Sequence, residues 1–293
     1  MPDLGVVYVA TGDRSRSEAL RSLRSLRQFS PGVPAAVFTD SEGVDSALWR
    51  EADEAVVIEH PHFGFRDKIL PLLDRPFTRS LFLDADTWVR RPLSPLFDLL
   101  DAVDVAAAQD SWRVGIPVPV PETFAEPNTG VLLLGPDAAV DDAIRQWDTH
   151  FVEMLRERER VVAEAAKQPL YGYPGIPSPA LHDQPAFRWA VWDAMVAGSI
   201  RYASLPDEAN VRAWLPAALA AGSTPWIVHT HAADGDLTAA ALESSPYARV
   251  WLPGLSGGMS GRITNELVLG GRRAGSARAG QCTRGRTCLA ASR

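Results

Sequence analysis

Leu81-Phe82-Leu83-Asp84-Ala85-Asp86-Thr87 sets two carboxylates, two residues apart, at the end of a short apolar run. Alternate residues of an extended chain point the same way. Two carboxylates on one side suit a hard divalent cation, Mg2+ or Mn2+, held through oxygen. Without a cation between them their repulsion would be costly. The plainer reading is a helix cap and turn, where Asp is common. Delivery from a buried strand favours the cation site.

The elements that must position this pair follow from periodicity. Gly5 to Ala10, Ala35 to Thr39, Ala55 to Glu59 and Ser80 to Leu83 are short β-branched or apolar runs and predict strands. Ser15 to Gln28 carries Leu20, Leu23 and Leu26 among arginines and serines, the spacing of an amphipathic helix. Phe65 to Leu73 predicts a short helix, kinked by Pro71. Further on, Val103 to Ala108, Val131 to Leu134, Ile200 to Ser204 and Trp226 to Thr230 predict strands. Pro136 to Arg160 and Asp183 to Val196 predict helices, and Leu170 to Pro179 a loop. Strands alternating with helices predict an α/β fold with a mostly parallel central sheet. In such sheets ligands bind beyond the carboxyl ends of the strands. Thr11-Gly12-Asp13, Thr39-Asp40 and Asp84-Ala85-Asp86 all fall at those ends.

Composition narrows the classes. The 293 residues are 46% hydrophobic and 22% charged, as in an ordinary globular protein. A net charge of −7 argues against a general nucleic-acid binder. No apolar run reaches the ~18–20 residues of a membrane helix, and Met1-Pro2-Asp3, without a basic stretch and apolar core after it, is not expected to begin a signal peptide. The expectation is a soluble, cytoplasmic protein. Both cysteines, Cys282 and Cys288, lie after Ser256, in a stretch with seven arginines and one acid, Glu266. The body therefore uses no thiolate chemistry, and residues 256–293 are expected to form a basic, disordered tail. Lys68 and Lys167 are the only lysines in an arginine-rich chain, which singles out Lys68 beside the strand ends.

Two enzyme classes place Asp-x-Asp after an apolar strand. In haloacid-dehalogenase-type phosphatases the first Asp, here Asp84, is the nucleophile. That motif closes the first strand of its domain and has its lysine downstream; here three strands precede it and Lys68 lies upstream. The second class is the nucleotide-sugar glycosyltransferases of the GT-A (Rossmann-like) fold. Between Gly5 and about His231 the chain resembles that class, in particular bacterial relatives of glycogenin and the retaining galactosyltransferases. The resemblance lies in Val7-Tyr8-Val9-Ala10-Thr11, Phe65-Arg66-Asp67-Lys68-Ile69, the Asp84-Ala85-Asp86 motif, Glu126-Pro127-Asn128-Thr129-Gly130-Val131, His182-Asp183-Gln184-Pro185-Ala186, Leu205-Pro206-Asp207-Glu208-Ala209-Asn210 and Ile227-Val228-His229, in the family's order. The family's Gly and Lys-Pro-Trp ending after the histidine is absent.

The resemblance implies one GT-A domain over residues 1–255. It implies a donor that is a nucleotide-diphosphate sugar, a UDP-sugar first among them, and retention at the anomeric carbon. Asp84, Asp86 and His229 would hold Mn2+ or Mg2+; His231, on the same side of an extended strand, is the alternative imidazole. Ala10, Thr11, Asp13, Asp40, Lys68, Asp84, Asn128 and Thr129 would contact the donor, and Asp183 and Gln184 would lie at the reacting carbon. For Asn128 the plainer reading is a turn, and for Asp183 a helix cap. Trp112, Trp189 and Trp192 are stacking faces for an acceptor or core aromatics. Acceptor choice would sit in Ser111 to Phe124 and Leu170 to His182. A nucleotide-sugar binder without turnover is the third reading.

Overall fold

The computed structural model describes residues 3–110, 116–167, 181–212 and 224–229, with strand backbone at 217–219 and 249–251. Trp112, His231, most of the second acceptor loop and the basic tail lie outside the described residues.

Strand β1 (Leu4–Ala10) leads into helix α1 (Asp13–Phe29), then β2 (Ala35–Thr39), the short α2 (Ala47–Glu51) and β3 (Glu54–Val57). Two 3-10 turns, Phe65–Lys68 and Leu70–Asp74, replace the single short helix that the sequence predicts. Pro71 causes the break: it has no N–H to continue a helix and sits instead in the first turn of the second piece. β4 (Arg79–Leu83) and β5 (Thr87–Val89) flank the Asp-x-Asp turn. Then come α3 (Ser94–Phe97), β6 (Val105–Gln109) and β7 (Pro127–Leu134). The predicted long helix is two, α4 (Ala138–Arg156) and α5 (Arg158–Ala166), parted at the non-helical Glu157. Helix α6 (Gln184–Val196) precedes β8 (Tyr202–Leu205), β9 (Val211–Arg212), β10 (Ala217–Leu219), β11 (Ile227–His229) and β12 (Arg249–Trp251).

The central sheet has seven strands in the order β3-β2-β1-β4-β7-β6-β8. β7 alone runs against its neighbours, so the α/β, mostly parallel architecture is as the sequence predicts. Both faces are covered, which explains why the strands read as continuous apolar runs. Alternation divides β1: Val7 and Val9 join the core under α4 and α6, whereas Val6, Tyr8 and Ala10 join the core under α1. In α1 the buried positions Arg16, Ala19, Ser22, Leu23 and Leu26 recur at helical spacing. Trp147 of α4 is fully buried, meets Phe187 of α6 edge-on at 4.8 Å and donates its indole N–H to the Asp183 carbonyl at 3.0 Å. Truncating it to Ala would cost about 3–5 kcal/mol.

A second sheet, β5-β11-β9, stands at the edge where the parallel strands end. Its strands have two or three residues, too short for a periodicity signal. Its register has a chemical consequence: Thr87 of β5 pairs with His229 of β11. That pairing brings an imidazole from late in the chain to the Asp84-Ala85-Asp86 turn.

Candidate functional site

Strand β4 ends at Leu83, and the Asp84 N–H donates to the Gly130 carbonyl of β7 at 2.8 Å. Thr87 Oγ1 closes the turn by donating to the Asp84 carbonyl at 2.8 Å. The two carboxylates are thereby held toward β11. His229 Nε2 stands 3.0 Å from Asp86 Oδ1 and 3.8 Å from Asp84 Oδ2. All three residues offer a ligand atom within 4.8 Å of one another. Gly130 lets the imidazole approach this closely. A Cβ there would stand 2.3 Å from His229 Cε1 and 2.8 Å from Asp84 Oδ2.

Lys68 is buried behind the pair. Its ammonium lies 3.4 Å from Asp84 Oδ1 and 3.2 Å from Asp183 Oδ2, and donates to Thr129 Oγ1 at 3.0 Å. The Thr129 hydroxyl in turn donates a hydrogen bond to Asp183 Oδ2 at 2.8 Å. Burial disfavours the Lys68 charge, but Asp183 and Asp84 outweigh it and hold the group above its ordinary value. For Asp84 the balance runs the other way. Burial raises it, Lys68 and His229 oppose, and the neighbouring Asp86 and Asp183 charges add to the rise. A cation would relieve that repulsion.

Asn128 and Thr129 belong to β7, which begins at Pro127, and not to a turn before it. Asp183 does occupy the N-cap position of α6, yet its side chain makes no capping bond and turns to Lys68 and Thr129. Asn128 and Gln184 share a network with Asp110, a residue the sequence reading passed over. Gln184 Nε2 donates to Asp110 Oδ2 at 2.8 Å, and Asn128 Nδ2 donates to Gln184 Oε1 at 2.8 Å and to Asp110 Oδ2 at 3.1 Å. Arg212 Nη1 stands 3.1 Å from Asp110 Oδ1. The signal for Asp110 was present: it follows the apolar run of β6 at the same sheet edge as the other strand-end acids. Nothing comparable marked Arg212.

Asn128 Oδ1 accepts from the Gly130 N–H at 2.9 Å, and a backbone N–H only donates, so that oxygen is fixed. Asn210 must then turn its amide nitrogen to it, at 2.8 Å, and its oxygen to His229 Nδ1, at 3.2 Å. His229 Nδ1 therefore donates to Asn210, and Nε2 is the nitrogen turned to the carboxylates.

The other expected residues are placed as follows. The Ala10 carbonyl accepts from Thr39 Oγ1 at 2.7 Å, and Ala10 is wholly buried. Thr11 lines the cleft and donates to Asp67 Oδ2 at 2.7 Å. Asp40 is buried away from the cleft, where it accepts from the Gly12 N–H at 2.6 Å and pairs with Arg16. Asp13 is exposed and pairs with the same arginine. Trp189 stacks on His150 at 3.7 Å, and Trp192 packs on Phe124 at 5.3 Å, so both serve packing.

In front of these residues lies an open cleft of about 520 Å³, a volume suited to a small ligand. Asp84, Asp86, His229 and Lys68 line one part of it. Thr11 of the β1–α1 turn, Arg14, Ser15 and Glu18 of α1, and Phe63, Gly64 and Phe65 line it as well.

No protein-family model and no curated protein matches the chain. Among solved structures it is similar to the galactosyltransferase LgtC in complex with donor and acceptor sugar analogs, at 14% identity and a TM-score of 0.48. That match covers 78% of this chain and 87% of the other. It is similar to mouse xyloside xylosyltransferase 1, at 16% identity and a TM-score of 0.44, over 78% of this chain and 98% of that one. It is also similar to the glycosyltransferase GlyE of Streptococcus pneumoniae TIGR4, at 18% identity and a TM-score of 0.47, where 80% of this chain covers 55% of the other. All three are glycosyltransferases. Likeness at this identity assigns no activity, which must come from the site itself. Among the described residues no helix is long and apolar enough to cross a membrane.

Proposed function

We propose that the protein is a divalent-cation-dependent glycosyltransferase that moves a sugar from a nucleoside-diphosphate donor to an acceptor. The observation that carries this reading is the convergence of Asp84, Asp86 and His229 in the cleft, beside the Lys68–Asp183–Thr129 cluster. The donor set fits a hard or borderline divalent ion: two carboxylates and an imidazole whose tautomer is set by Asn210. Mn2+ or Mg2+ held there would offset the charge that grows on a departing diphosphate.

The chain's own residues supply the rest. Lys68 offsets part of the negative charge of Asp84 and Asp183, and a bound cation would supply the positive charge under the diphosphate. Gln184, tied to Asp110 and Asn128, keeps one amide N–H and one oxygen lone pair for the sugar, while Asn128, its amide fully bonded, helps lock the Gln184 rotamer before substrate arrives. Asp183 lies deeper and positions Lys68 and Thr129. Retention at the anomeric carbon and a UDP-sugar donor are the readings the sequence resemblance favours.

The test is a thermal-shift screen of nucleoside diphosphates and nucleotide sugars with and without Mn2+, followed by assay of nucleoside diphosphate release. Ligand that binds the folded state raises the midpoint. Joint dependence on Mn2+ and one nucleotide supports the transferase. Hydrolysis of small phosphomonoesters, with phosphate carried on Asp84, would favour the phosphatase instead.

A further inference from the structure

Phe63 and Phe65 are the only exposed aromatic residues among those described, 64% and 52% exposed, and both line the cleft. An exposed phenylalanine is unremarkable alone. Phe63 is exceptional because its backbone is in the left-handed region, at φ 54°. A bulky side chain there is a genuine outlier, tolerated only where surroundings over-determine it.

Asp67 is what over-determines it. This buried carboxylate accepts from the His62 N–H at 2.6 Å, the Phe63 N–H at 2.8 Å and the Thr11 hydroxyl at 2.7 Å. It thus ties the Phe63 loop to the end of β1. The ring consequently lies over the β1–α1 turn: a Cβ at Gly12 would meet Phe63 Cδ1 at 3.7 Å. No apolar burial repays the unfavourable backbone, because the ring is left in solvent. Phe65 is differently placed. Its ring is 5.8 Å from the Lys68 ammonium and 6.5 Å, edge-on, from His182, on the cation side of the cleft.

We infer that Phe63 is a stacking platform for the nucleobase of the donor, held over the β1–α1 turn in the cleft that also holds the cation site. The inference builds on the nucleotide-diphosphate reading above. A planar aromatic face held in place by backbone hydrogen bonds offers stacking area without loss of loop freedom on binding. Stacking on any base is tolerant of its identity, so the platform sets affinity for a nucleoside and leaves base choice to polar residues of the same cleft, Arg14, Ser15 and Glu18.

The experiment compares binding of UDP, CDP, ADP and GDP with binding of inorganic pyrophosphate, all with Mn2+, by calorimetry. The proteins are wild type, Phe63→Gly and Phe63→Tyr. Glycine removes the ring and suits the positive φ, so the loop keeps its course. Expected is a loss of about 5- to 150-fold in nucleoside diphosphate affinity for Phe63→Gly. Pyrophosphate affinity is unchanged, and Phe63→Tyr binds as wild type does. Equal nucleoside diphosphate affinity in wild type and Phe63→Gly overturns the platform and leaves the transferase reading standing. An equal loss for pyrophosphate also overturns it, since the ring would then act on the loop and not on the base. Failure of wild type to bind any nucleoside diphosphate or pyrophosphate with Mn2+ overturns both.

Discussion

Asn210 accepts the Nδ1 proton of His229 across 3.2 Å, and so decides which ring nitrogen meets Asp84 and Asp86. The decision originates at the Gly130 N–H, passes through Asn128 and reaches the histidine through two amides. Partners of this kind are worth about 10- to 100-fold in metal affinity. Asn210→Ala should weaken Mn2+ binding by about that factor, measured by electron paramagnetic resonance of free Mn2+. The nitrogen chemical shifts of His229 should change from one tautomer to a mixture. An unaltered tautomer in the variant would remove the relay.

Asp86→Asn tests the cation site from the other side. Asp86 is one of the charges that raise Asp84. Its removal relieves that repulsion in the metal-free protein but weakens the 3.0 Å contact with His229, so the midpoint without metal should change little. Stabilisation by Mn2+ with nucleoside diphosphate should vanish, whereas wild type keeps it. A variant that Mn2+ still stabilises as it does wild type would refute the assignment.

Gly130 has a steric role that its neighbours make quantitative. A methyl group would overlap His229 and Asp84, and a backbone atom bears it, so the imidazole must yield. Gly130→Ala should cost about 1–3 kcal/mol in urea unfolding, the range for overpacking. Mn2+ affinity should fall as well, because the ring that moves is the ligand. A loss of stability with full Mn2+ affinity would mean that the ligand set lies elsewhere.

Much of this was legible in the sequence, and what was not has a physical cause. The long strands β1, β2 and β4 announce themselves through Val7, Phe38 and Phe82 and their apolar neighbours. The Asp84 and Asp86 pair is readable because β4 ends there. The place of His229 is not readable from patterning, since β5, β9 and β11 are two or three residues each and only their pairing brings Thr87 to His229. Asp183 shows the limit of local rules: its position is that of a helix cap, yet tertiary contact with Lys68 claims the carboxylate. Phe63 shows it again, because no residue-type preference predicts a positive φ at phenylalanine.

Asp40 gives a pH dependence with a definite sign. Burial pushes its carboxyl upward, but the Gly12 N–H and the Arg16 guanidinium outweigh that and hold it below its ordinary value. A carboxyl depressed in the folded state contributes stability that is complete above its unfolded value, about 3.9. The contribution is lost as pH falls through the lower folded value. Asp40→Asn removes the buried charge and leaves Arg16 with the exposed carboxylates of Asp13 and, at 3.8 Å, Glu42. At pH 7 the variant should be less stable by about 3 kcal/mol, the low end for breaking a buried pair. Urea unfolding of both proteins between pH 7 and pH 2 should show the gap constant down to about pH 4 and closing below it. A gap that instead widened toward low pH would mean that Asp40 is protonated in the folded protein and that Arg16 is held by other groups.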